Sequence, residues 1–151
     1  VTQISQWKQD AQTAFSMGDI AAAEQILQDA IAAYPDDTEP NTMLCHLYLN
    51  QGDYSAAFAA LDPVLDRLNS SKAYLLASRL LLQMGSVRPA IDMCAKSIAL
   101  TPGDTDSLIH MAQIYTAYRQ NAALAELTTH AEKHLDTEAL AAYHAALQPE
   151  A

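Results

Sequence analysis

The stretches Met17-Gly18-Asp19-Ile20, Gln51-Gly52-Asp53-Tyr54 and Met84-Gly85-Ser86-Val87 decide how this chain is read. They match one another, and their glycines stand 34 and 33 residues apart. A further 34 residues reach Arg119, in Tyr118-Arg119-Gln120-Asn121, a degenerate fourth copy. Self-similarity at this period marks stacked repeats, because one such unit cannot bury its own apolar face.

Each copy has a mechanical reading. An apolar-periodic helix runs into a glycine, which takes the left-handed conformation that ends a helix. Asp19, Asp53, Ser86 and Asn121 then stand where an N-cap would start the next helix. Five residues beyond each glycine come Ala23, Ala57 and Ala90, small enough for two helices to approach closely. Pro35, Asn69 and Pro102 punctuate the ends of the second helices. Pro63 falls late in the second helix of copy two and is expected to bend or loosen it. Pro40 and Pro89 fall in first turns, where proline is tolerated.

The pattern resembles the tetratricopeptide repeat family, with its helix–turn–helix units of about 34 residues. In copy one, Trp7, Ala11, Ala14, Gly18, Ala23, Leu27, Ala30 and Pro35 occupy the signature slots. Leu44, Cys45, Tyr48, Gly52, Ala57, Leu61 and Val64 do so in copy two. Copy three supplies Tyr74, Ala77, Ser78, Leu81, Gly85, Ala90, Cys94, Ser97 and Pro102. Copy four has Leu108, Met111, Ala112 and Tyr115, but Arg119 in its glycine slot and Leu124 in its alanine slot. The resemblance implies an all-α fold: a right-handed α-solenoid of about four units plus a C-terminal capping helix. It implies one domain over 1–151, with repeats at about 4–37, 38–70, 71–104 and 105–136 and the capping helix at about 137–148. Leu140, Tyr143 and Leu147 share one face of that last helix.

Composition agrees with helix and narrows the partners. Half the residues are hydrophobic and only 4 are glycine, which favours helix over disorder. A net charge of −10 argues against nucleic acid, whose phosphates need a basic face. No run of 18 apolar residues is present, so no membrane span is expected. Cys45 and Cys94 have neither zinc-site spacing nor disulfide-scaffold density, and they are expected to be buried free thiols. The chain starts at Val1 without an initiator Met. It therefore reads as a piece of a longer or processed chain, cytoplasmic or periplasmic.

Catalytic and cofactor chemistry find no motif. There is no phosphate-binding glycine loop and no Gly-x-Ser-x-Gly elbow, and no cofactor is expected. His130 and His134 sit at i and i+4, so both could face one metal ion. The glutamate between them is misplaced for the H-E-x-x-H helix, and Lys133 disfavours a cation. No metal site is therefore assigned.

The resemblance implies where a ligand would sit. First helices of such repeats line a concave groove. The matching positions here are Lys8, Gln12 and Phe15, then His46 and Leu49 with Glu39 and Asn50. Copy three supplies Lys72, Leu75, Arg79, Leu82 and Gln83, and copy four Ile109 and Gln113 with Asp106 and Thr116. Lys8, Lys72 and Arg79 would give this groove a basic floor suited to a peptide carboxylate or acidic side chain. Leu75, Leu82 and Ile109 are expected to be exposed there. Some family members hold a C-terminal carboxylate with a Lys/Asn/Asn/Lys/Arg clamp. Lys8 and Lys72 match two of those slots, but Gln12, Met43 and Leu76 depart from the other three. The expected role is a non-catalytic scaffold or adaptor that binds a protein or peptide segment. The alternatives are a small secretion- or assembly-type chaperone, or a repeat module of a larger enzyme. Self-association through an open end or the groove is also possible.

Overall fold

The computed structural model describes residues 2–148, with side chains described from residue 6. Ile4, the expected start of copy one, has its side chain outside that range, and residues 1 and 149–151 lie outside it altogether. All regular structure among the described residues is helical, with no strand among them. The first helices are α1 (Thr2–Ser16), α2 (Ile20–Ala33), α3 (Glu39–Asn50) and α4 (Tyr54–Leu61). A 3-10 turn (Asp62–Val64) leads to the short α5 (Leu65–Leu68). Then come α6 (Ser71–Gln83), α7 (Val87–Leu100), α8 (Thr105–Ala117), α9 (Asn121–His134) and α10 (Thr137–Ala146). They fall into two compact units, one ending at Leu68 and one starting at Asn69.

One turn geometry recurs four times. Gly18, Gly52 and Gly85 take φ of 76°, 75° and 80°. The amide after each donates back to the carbonyl five residues earlier: Asp19 to Ala14, Asp53 to Tyr48, Ser86 to Leu81. Each glycine amide donates to the carbonyl three residues earlier, completing the paired bonds that satisfy a helix C-terminus. Arg119 makes the same turn at φ 56°, and Gln120 donates to Tyr115. That bond fixes the residue directly after the left-handed one as the cap. The N-cap of α9 is therefore Gln120, and Asn121 is the first helical residue, which corrects the sequence expectation. Asp19 and Asp53 cap with their side chains, accepting from Ala22 and Ala56. Ser86 holds the cap position without a side-chain bond.

A non-glycine residue in the left-handed region costs about 1–2 kcal/mol, partly offset by the smaller unfolded-state entropy of a residue with a side chain. Arg119→Gly should therefore raise stability by about 0.5–1 kcal/mol. The reverse change, Gly85→Ala, should lower it by about 1 kcal/mol. A Cβ on Gly85 would meet no atom, so that loss would be a backbone effect alone. Urea unfolding of both variants measures this, and equal midpoints would contradict the strained reading of Arg119.

In unit one, α1 packs on α2, α2 on α3 and α3 on α4. Ala23 and Ala57 are buried at the crossings, as the spacing predicted. Pro63 has no N–H to continue α4, and the chain passes through the 3-10 turn while still burying Val64 and Leu65. Asn69, at φ 45°, ends α5. Ser70 then caps α6 by accepting from Ala73.

In unit two, α6 packs on α7, α7 on α8, and α8 on both α9 and α10. Leu108, Ala112, Ala131 and Tyr143 form one core cluster, flanked by Leu124, Leu127, Leu140 and Leu147. Leu124 thus packs where the other copies hold alanine. Tyr143 brings α10 into this core, and its hydroxyl lies 2.9 Å from that of Thr128 on α9.

Candidate protein-binding surfaces

In unit one, α1, α2 and α3 enclose an open cavity of about 550 Å³. Its floor is Ala11, Ala23, Leu27 and Leu47, all buried. Gln12, Phe15, Met43, His46 and Asn50 line it as well. Ala11, Ala23 and Leu27 were recognisable in the sequence as packing positions, but that they also floor a cavity depends on how far the helices stand apart. The expected groove residues Gln12, Phe15 and His46 therefore converge, whereas Leu49 is half-buried and does not line the cavity. Phe15 keeps 41% of its surface exposed.

Lys8 does not contribute a free positive charge. Its Nζ forms an ion pair and hydrogen bond with Glu39 Oε1, joining α1 to α3. Both occupy groove positions implied by the family resemblance, and together they form a neutral pair. Half-exposed pairs of this kind add little stability. Tyr48 donates its hydroxyl to Glu24 on α2 at 2.7 Å, an inter-helix contact.

In unit two, Lys72, Arg79 and Gln113 are exposed, while Leu82 and Ile109 are half-buried. Leu75 is not the exposed groove residue expected. It retains 6% exposure and packs against Cys94 of α7 and Met111 of α8, because both neighbouring helices cover its side of α6. Ile109 packs against the Leu108–Tyr143 cluster. Gln113 and Thr116 line a second open cavity of about 400 Å³, closed on its other side by Ala146, Leu147 and Gln148. Leu147 was legible only as an apolar position of the last helix.

The titratable groups of unit two explain one another through burial. His110 is buried with its Nε2 3.0 Å from Ser78 Oγ. The Ser78 hydroxyl donates to the Ala90 carbonyl at 2.6 Å. Its single proton is used there, so the ring nitrogen is the donor to Ser78. His110 cannot then act as a base toward that hydroxyl, which is fully buried. Burial, with Arg79 nearby, pushes the His110 pKa down to about 4. Cys45 and Cys94 are free and buried. Burial pushes their thiols up to about 11 and about 12, far from the thiolate a nucleophile needs. His130 and His134 stack with ring centroids 4.2 Å apart. His130 Nε2 is engaged with the Pro102 carbonyl. Among the described residues no group of three or more His, Cys, Asp or Glu gathers as a metal site. No helix of the described residues is long and apolar enough to cross a membrane.

Comparison with known proteins agrees with this architecture. The tetratricopeptide repeat family model matches residues 14–80. No curated protein matches by sequence. Among solved structures, a tetratricopeptide repeat protein from Parabacteroides merdae is 15% identical with TM-score 0.79, over 97% of this chain and 59% of that one. A crystal structure of MamA protein is 16% identical with TM-score 0.77, over 95% of this chain and 78% of that one. The first tetratricopeptide domain of Spaghetti (RPAP3), bound to an HSP90 peptide, is 14% identical with TM-score 0.66, over 78% and 94%. At these identities the likeness concerns the fold. Residues 14–80 thus match the tetratricopeptide repeat family model, and the fold is that of tetratricopeptide repeat structures over nearly the whole chain.

Proposed function

We propose that this chain is a non-catalytic module that binds a segment of another protein, acting as a scaffold or adaptor. The observation that carries this reading is the cavity of unit one, where Gln12 and Phe15 of α1 meet His46 and Asn50 of α3. Those are the first-helix positions that the repeat pattern assigns to ligand contact. Unit two offers its own first-helix surface, with Arg79 and Gln113 exposed and Leu82 half-exposed. A related fold, the Spaghetti domain, carries a bound peptide, which supports a peptide-like ligand here. The buried, proton-committed Ser78–His110 pair and the un-ionised thiols favour binding over catalysis.

A phage-displayed peptide library panned on the purified chain tests this. Binding peptides are expected at micromolar affinity or better. The double change Arg79→Glu with Leu82→Glu should weaken those that use unit two at least about tenfold, which is about 1.4 kcal/mol. Circular dichroism should be unchanged, because Arg79 is exposed and Leu82 only half-buried. A library that yields no specific binder would overturn the proposal.

A further inference from the structure

We infer that the cavity of unit one recognises an uncharged apolar side chain of the partner segment, aromatic or large aliphatic, and not a carboxylate. This rests on the protein-binding reading above and specifies its chemistry at one end. In a chain with 18 acidic and 8 basic residues, no Lys, Arg, Asp or Glu lines the cavity among the described residues. The nearest cation expected from the sequence, Lys8, is neutralised by Glu39. A carboxylate entering the cavity would therefore lose its water without gaining a counter-charge, which is costly. An apolar group would instead replace water against Ala11, Leu27, Leu47 and the exposed face of Phe15. A volume of about 550 Å³ admits an aromatic side chain together with its adjoining main chain.

The rim completes the selection. Gln12 and Asn50 are exposed on facing first helices, and each amide offers both a donor and an acceptor. Such groups suit the N–H and C=O of an extended backbone, whatever its sequence. Met43, flexible and polarizable, lets the wall adjust to rings or branched chains. The cavity is thus an anchor pocket: apolar contact supplies the affinity and neutral amides fix the direction of the chain.

Amide NMR titration of the intact chain tests the chemistry directly, with N-acetyl-tryptophan amide, N-acetyl-leucine amide and N-acetyl-aspartate amide as probes. The two apolar probes should give saturable shifts at Gln12, Phe15, His46 and Asn50, with dissociation constants on the order of a millimolar for ligands so small. The aspartate probe should give none. Phe15→Glu, at an exposed rim position, and Met43→Glu should each weaken the apolar probes at least about tenfold. Lys8→Ala, outside the lining, should leave them unchanged. The inference is overturned if the aspartate probe binds as tightly, if neither apolar probe perturbs these residues, or if both glutamate variants bind as before. It is also overturned if the same amides shift with protein concentration alone, since a second copy would then be the occupant. Were the apolar probes to fail while library peptides still bound through Arg79 and Leu82, the general protein-binding reading would stand without this specificity.

Discussion

Replacing Tyr143 with alanine is expected to lower the unfolding free energy by about 3–5 kcal/mol, the range for emptying a large aromatic site in a core. Tyr143 has no exposed surface. It packs against Leu108, Ala112 and Ala131, which belong to α8 and α9. Removing the ring opens a void bounded by three helices, and tightly packed helices collapse only partly into such a space. Tyr143→Phe keeps the ring and loses only the bond to Thr128, at a cost of about 1 kcal/mol. Urea unfolding followed by circular dichroism separates the two variants. A loss below about 1 kcal/mol for Tyr143→Ala would mean that α10 does not belong to the cooperative unit.

The second large effect is a dependence on pH centred on His110. The folded pKa is pushed down to about 4 from an ordinary value of 6.5, so the ring resists protonation while the protein is folded. Its contribution to stability is fully present above pH 6.5 and is lost as pH falls toward 4. In that window the unfolded chain takes up a proton that the folded state refuses. The loss amounts to about 3 kcal/mol by pH 4. Arg79 adds to the depression through its positive charge. His110→Gln keeps a polar side chain near Ser78 but cannot ionise, so the difference between this variant and the parent isolates the effect from carboxylates titrating nearby. Equal slopes of stability against pH, from pH 7 down to 4, would show that the ring is not desolvated as described.

Much of the fold was legible because helix ends are local chemistry. A left-handed residue, a capping carboxylate and a small residue five positions on act over one turn, so Gly18, Gly52 and Gly85 revealed them by spacing alone. Arg119 shows the limit. Its side chain conceals the turn from a search for glycine, yet its backbone adopts it because the flanking helices require that geometry. The misplaced cap at Asn121 has the same origin: without the glycine marker, the turn was read one residue late.

The binding surface was only partly legible. The family resemblance implied that Gln12, Phe15 and His46 face a groove, and the structure brings them to one cavity. The sequence could not tell that Lys8 would be matched by Glu39, because that pairing joins residues 31 apart on different helices. Nor could it tell that Leu75 would be covered by Cys94 and Met111, since a helical position is open or closed according to its neighbours.

The helix–turn–helix repeat and its period were readable in the residues alone, because they follow from backbone conformation and side-chain spacing within one or two turns. The packing of the helices settles which groove positions remain accessible and which charges remain uncompensated. Those properties depend on pairs of groups far apart in the chain. They leave unit one with a largely apolar cavity free of Lys and Arg among its described lining residues, where the family resemblance had implied a basic floor.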